Sequence, residues 1–213
     1  MAVRIKICGV TDPANALLAV EWGADYLGLN FYRASPRFVD LERAREIADA
    51  VAGRVELVGV FVNHSPAEID EIAGSLGLDL VQLSGDEGPD AVRPFAGRAL
   101  KGFRTGAPPS PAELAAYGDV WGILLDAPHA SLYGGTGTAW DHASVAGAPG
   151  LAGRRVFLAG GIGPDNVRRA IERGRPFAVD VCSRVESAPG MKDPELLRRL
   201  FEEARNAETP TAP

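Results

Sequence analysis

Two hydrophobic rhythms alternate along the chain. Short apolar runs rich in Val, Ile and Leu recur at residues 4–10, 26–32, 55–62, 79–84, 99–104, 121–127, 154–161 and 177–183. Their near-continuous apolarity predicts strands buried on both faces, as in a parallel sheet covered by helices. Between them lie amphipathic stretches with helix punctuation. "TDPANALLAVEWG" offers Thr11 and Asp12 as N-cap candidates, Pro13 in the first turn and Gly23 just past the end. The same grammar recurs in "DLERAREIADAVAG", "SPAEIDEIAGSLG", "SPAELAAYG", "GPDNVRRAIERG" and "DPELLRRLFEEARN".

Eight such strand signals in 213 residues leave no room for a second domain. Residues 1–206 are expected to form one domain, with residues 207–213, "AETPTAP", as a flexible tail. Alternating strand and helix signals imply a parallel sheet with right-handed crossovers. An open doubly wound sheet competes, but it often carries a phosphate-binding turn after its first strand. Here that turn reads "CGVTD", and the glycine-rich turns follow the seventh run, "AGGIG", and less clearly the eighth. A phosphate site after strands seven and eight belongs to a closed barrel. The expected fold is α/β, a single (β/α)8 TIM barrel. Its chemistry should then sit at the C-terminal strand ends, where Cys8, Asp126, Asp180 and Cys182 fall.

Composition narrows the function by exclusion. Apolar residues make up 46% and charged residues 23%, ordinary values for a globular domain. A net charge of −6 without a Lys/Arg cluster offers no surface for nucleic acid. No apolar run reaches bilayer length and none resembles a signal peptide, so a cytoplasmic protein without membrane contact is expected. Two Cys with no CxxC or HxxxH spacing point to free thiols, with no metal site. His64, His129 and His142 lie in loops or polar stretches and show no ligand spacing.

Five residues carry candidate chemistry. Cys8 reads either as a packed thiol in the barrel wall or as a base with a lowered pKa. Asp126 directly follows "WGILL", where a carboxylate is costly to bury unpaired. It suits a general acid, or else a cap of the following loop. Gly160 and Gly161 let backbone N–H groups approach an anion, with a helix start expected at Pro164 to Asn166. Arg37, in "SPRFV", is a surface charge or a fork for a carboxylate. The polar stretch 133–141, "YGGTGTAWD", is a lid or a plain linker.

The motifs "KICGVTD", "SPRFV", "VGVFVN", "VQLSGDE", "LLDA", "YGGTG", "LAGGI", "VDVCSRVE" and "PGMKD" together resemble the phosphoribosylanthranilate isomerases, from residue 4 to about residue 205. That resemblance implies an Amadori rearrangement in tryptophan biosynthesis, converting N-(5-phosphoribosyl)anthranilate to a 1-deoxyribulose 5-phosphate aminoketose. It implies Asp126 as the acid that opens the furanose ring and Cys8 as the base that takes the C2′ proton. It further implies Arg37 at the anthranilate carboxylate, Asp180 near the anthranilate nitrogen, and Gly160, Gly161 and the backbone around Ser183 at the phosphate. The substrate nitrogen acts as electron sink, so no cofactor is expected. The only partners implied are the small phosphorylated substrate and, for a homodimer rather than a monomer, a second copy.

Three motifs depart from the family pattern. Ser84 stands where Gln-Leu-His-Gly has its His. Cys182 and Arg184 replace the first Ser and the Gly of Asp-Val-Ser-Ser-Gly-Val-Glu, and Thr138 stands where a Lys is common. Arg184 either accompanies another loop conformation or adds a charge at the phosphate. A sister aminoaldose isomerase of relaxed substrate range and a non-catalytic phosphate-ligand-binding paralogue are the rival readings. Barrel closure should also bring Cys8 and Cys182 close together.

Overall fold

Cap residues start the helices where the sequence places them. Asp12 accepts a hydrogen bond from the Asn15 amide ahead of α1 (Pro13–Trp22), and Asp40 accepts from Arg43 ahead of α2 (Leu41–Val51). Ser65 and Glu68 form a reciprocal capping box at α3 (Pro66–Leu76). A short α4 (Pro89–Val92) follows, then α5 (Pro111–Ala116) capped by Ser110. After α6 (Val167–Gly174), Asp193 caps α7 (Pro194–Arg205). Each cap satisfies an amide that the first helical turn leaves without a partner. The computed structural model describes residues 3–104, 107–126 and 142–207.

Eight parallel strands alternate with these helices: β1 (Arg4–Cys8), β2 (Tyr26–Asn30), β3 (Glu56–Phe61), β4 (Leu80–Leu83), β5 (Ala99–Arg104), β6 (Gly122–Asp126), β7 (Val156–Leu158) and β8 (Ala178–Val181). They close in chain order, with β8 beside β1, so the expected (β/α)8 barrel is the observed one. Strand side chains alternate between two dry regions. Tyr26, Val58, Leu80, Leu100, Leu124 and Phe157 fill the barrel interior. Ile7, Leu27, Leu83, Leu125 and Val179 point outward under the helices. Burial on both faces is why the strands read as unbroken apolar runs.

The interior is not uniform along the barrel axis. At the N-terminal end of the strands, Phe157 lies with its ring centroid 5.3 Å from Tyr26, 5.8 Å from Trp121 and 5.7 Å from Phe177. Aromatic packing closes the barrel interior at that end, and an open cleft lies at the other. No described helix is long and apolar enough to cross a membrane.

Local geometry corrects several sequence boundaries. β7 stops at Leu158 because Gly160 and Gly161 take φ values of 87° and 65°, which leave the ladder. β8 stops at Val181, and Cys182 turns at φ −130°, ψ −89° into a 3-10 turn, Ser183–Val185. The helix expected from Pro164 begins at Val167. An antiparallel hairpin of β9 (Glu186–Ala188) and β10 (Met191–Lys192) was not expected, its strands being too short to register as alternation. The 133–141 stretch, His129 and residues 208–213 lie outside the described residues.

Phe157→Ala should lower unfolding free energy by about 3–5 kcal/mol, since Phe157 is fully buried among rings that cannot all collapse inward. Leu41→Ala, at a 44% exposed position, should change it by less than about 0.5 kcal/mol. Urea unfolding of both variants checks the contrast.

Candidate active site

The C-terminal strand ends surround an open cleft that mixes polar and apolar groups. Cys8, Arg37, Asp126, Gly160, Gly161, Asp180 and Ser183 all line it. Arg184 does not. Its guanidinium pairs with Asp165 at 2.6 Å and 2.7 Å, and its stem lies over Gly163, where an added Cβ would stand 2.7 Å from Arg184 Cβ. The nearby carboxylate draws this charge to the rim, and the cleft gains no cation from it.

Cys8 ends β1 opposite Gly28 of β2. A Cβ at Gly28 would lie 2.8 Å from Cys8 Sγ and 3.1 Å from Lys6 Nζ, so the missing side chain makes the space that both groups occupy. Lys6 is wholly buried and donates to Asp180 Oδ1 at 2.7 Å across the closure of the barrel. Burial alone would lower the Lys6 pKa, but Asp180 and Cys8 raise it, so the ammonium stays charged. One step beyond the last register pair, Ile7 with Val181, Cys182 comes alongside Cys8. Both thiols are free. A hydrogen bond from Cys182 and the charge of Lys6 bring Cys8 down to about 7, against burial and the Asp180 carboxylate. The same contact and burial push Cys182 well above the usual thiol range.

Arg37 is placed by its loop. Ser35 Oγ accepts from the Arg37 amide at 3.1 Å and from Asn30 Nδ2 at 3.2 Å, while Val39 returns to pair with Asn30. Gly9, at φ 68°, lets the stem pass, since a Cβ there would lie 2.5 Å from Arg37 Cδ. The guanidinium edge formed by Nε and one terminal nitrogen grips Glu186 at 2.7–3.1 Å. The side-on fork of Arg37 is therefore taken, which leaves its end-on edge toward the cleft. Asp126 closes β6 in register with Arg104, three strands from β1 counted through β7 and β8.

At the glycine turn, Asn166 Nδ2 donates to Gly161 O and its Oδ1 accepts from the Gly163 amide, both at 2.8 Å. These bonds hold the turn open while Gly160 and Gly161 take left-handed backbone conformations, as in nests that bind anions with N–H groups. On β4, Gln82 Nε2 donates to Ser84 Oγ at 2.9 Å. Gln82 Oε1 is the buried side-chain oxygen left without a partner among the described residues. Among those residues no group of three His, Cys, Asp or Glu side chains could hold a metal ion.

Residues 5–203 match the model of the N-(5'-phosphoribosyl)anthranilate isomerase family. The chain belongs to this family. It is 44% identical over 205 residues to an N-(5'-phosphoribosyl)anthranilate isomerase of Trichlorobacter lovleyi, covering 96% of this chain and 99% of that one. A phosphoribosyl anthranilate isomerase of Thermus thermophilus superposes with a TM-score of 0.87 at 36% identity, over 97% of this chain and all of the other. A further family structure, 35% identical with a TM-score of 0.81, covers 96% of this chain and 99% of its own. That protein was crystallised with reduced 1-(o-carboxyphenylamino)-1-deoxyribulose 5-phosphate.

Lys6, Glu186 and Lys192 were not singled out from the sequence as site residues. A charged residue at an inward position of a doubly buried strand, as in "RIKIC", was the signal available for Lys6. Glu186 and Lys192 fall in the motifs "VDVCSRVE" and "PGMKD", but their burial depends on a hairpin of only two to three residues per strand, which periodicity does not register.

Alkylation by iodoacetamide should modify Cys8 first. Its rate should rise with pH and reach half its plateau near pH 7, because the thiolate is the reactive form and Cys8 is lowered to about 7. Cys182 should stay slow until well above that pH. Peptide mapping against pH separates the two.

Proposed function

We propose that this protein isomerises N-(5'-phosphoribosyl)anthranilate to the 1-deoxyribulose 5-phosphate aminoketose of tryptophan biosynthesis, with Asp126 as acid and Cys8 as base. Family membership supports the reaction. The observation that supports the residue roles is a thiol at Cys8, with the Lys6 ammonium beside it, and a carboxyl at Asp126 on different strands of one cleft, next to a glycine turn.

The chemistry needs two proton transfers at separate atoms. Asp126 gives a proton to the furanose ring oxygen, and the C1′–oxygen bond breaks as the nitrogen lone pair forms a Schiff base. The Cys8 thiolate then removes the proton from C2′, and the electron pair moves to nitrogen to give an enolamine. Tautomerisation yields the ketone. A base near neutrality loses little to incomplete ionisation at cellular pH. The turn at Gly160 and Gly161, together with Ser183, binds the phosphate through N–H groups. Arg37 meets the anthranilate carboxylate with its free edge, and Asp180, fixed by Lys6, lies beside the nitrogen.

Conversion of the synthetic aminoaldose, followed by chromatography, tests this directly. Cys8→Ser and Asp126→Asn should each lower kcat about 10²–10⁴-fold while the product analogue still binds. Wild-type turnover in either variant removes that residue from its role. Wild-type kcat should rise with pH along the ionisation of Cys8, since its base form does the work.

Arg37→Ala should raise KM about tenfold or more, the loss of a hydrogen bond to a charged group, with less effect on kcat. Competition by inorganic phosphate should stay unchanged in that variant.

A further inference from the structure

Lys192 is a lysine with no exposed side-chain surface, on a hairpin outside the barrel sheet. Its ammonium has three donors, and all three are used. One goes to the Cys8 carbonyl at 2.6 Å, one to the Cys182 carbonyl at 3.2 Å and one to Glu186 Oε1 at 2.7 Å. The two carbonyls lie just past the last register pair of β1 and β8, where the ladder no longer supplies a donor. Glu186, with 3% of its side chain exposed, spends its carboxylate on this ammonium and on the Arg37 guanidinium. A continuous chain of short contacts therefore runs from the free edge of Arg37, through Glu186 and Lys192, to the backbone of Cys8.

We propose that Glu186 and Lys192 are positioning residues that tie the placement of Arg37 to that of Cys8, so that one end of the substrate is anchored in register with the atom to be deprotonated. This rests on the roles given to Arg37 and Cys8 above. The hairpin is built to carry the pair. Glu186 and Lys192 are cross-strand partners in it, with a bulge between Met191 and Lys192. Asn15 Oδ1 accepts from the Lys192 amide at 2.9 Å, and Thr11 Oγ1 donates to the Gly190 carbonyl at 2.7 Å, so α1 and its preceding loop hold the hairpin against the barrel. Buried ion pairs contribute little net stability compared with apolar packing, which favours a role in geometry over a role in holding the fold. The charges point the same way. Lys6 and Asp180 also face Cys8, so with Arg37, Lys192 and Glu186 three cations and two carboxylates leave one net positive charge around the two thiols, which favours a thiolate there.

The test uses two near-isosteric substitutions in the full chain, Lys192→Met and Glu186→Gln. Each is followed by circular dichroism, kcat and KM for the aminoaldose, and the pH midpoint of Cys8 alkylation by iodoacetamide. Lys192→Met should lower kcat about 10- to 100-fold, as expected for slight misplacement of a reacting group, and move the midpoint to higher pH. Glu186→Gln should act mainly on KM, raising it about tenfold as Arg37 loses its anchor, and move the midpoint to lower pH by leaving two cations unbalanced. Opposite midpoint shifts with a kcat-against-KM split are not produced by a merely structural pair. Unchanged kinetic constants in folded variants overturn the proposal, whatever the midpoints do. Failure of both variants to fold overturns it too, since the pair then serves the fold. If one variant fails to fold, the other decides on the same readouts. If the wild type does not convert the aminoaldose, the functional reading fails, and the midpoints alone decide whether Lys192 and Glu186 act on Cys8.

Discussion

An unpaired ammonium inside a barrel wall would cost several kcal/mol, and much of this site is arranged around avoiding that. Lys6 points inward from β1 and finds Asp180 on β8, the strand that reaches it by closing the barrel. In this strand order the two residues meet only where β8 closes onto β1. Once formed, the pair fixes one carboxylate at the mouth and places a positive charge next to Cys8. Together with the hydrogen bond from Cys182, that charge lowers the pKa of the Cys8 thiol, and the ammonium and the sulfur share the space left by the missing side chain of Gly28.

The two ends of the barrel interior are filled differently. Aromatic rings plug the N-terminal end, where Tyr26, Trp121, Phe157 and Phe177 meet. At the other end long cations reach inward, tied to carboxylates from a different strand or loop. Arg37 with Glu186 and Lys101 with Glu87 follow the same rule as Lys6 with Asp180. Long side chains held at both ends leave few rotamers to be ordered when a ligand arrives, which reduces the entropic cost of binding.

The fold was legible because its signals are local and repeated. Cap residues and prolines mark most helix starts, and burial on both faces keeps each strand run apolar over its whole length. The line of Cys8, Asp126 and the glycine turn could be placed at one mouth once the barrel was accepted, since the strand ends share it. What the sequence hid depends on long-range contact. Whether Arg37 offers its side-on fork or its end-on edge is decided by Glu186, far along the chain. Arg184 looks like a phosphate ligand beside "CSRVE", yet Asp165 on the neighbouring turn draws it outward. The helix after the glycines starts late because Asn166, a natural cap residue, bonds to the turn at Gly161 and Gly163 in place of capping α6.

The bare position at Gly28 also constrains how this chain can change over generations. A methyl group there would stand 2.8 Å from the sulfur of Cys8 and 3.1 Å from the nitrogen of Lys6, too near for either to stay where it is. Drift on β2 is thus chained to residues on β1. A larger residue at 28 forces the sulfur of Cys8, and with it the ammonium of Lys6, to give ground, so change at this one position is felt first by the two polar groups of the neighbouring strand.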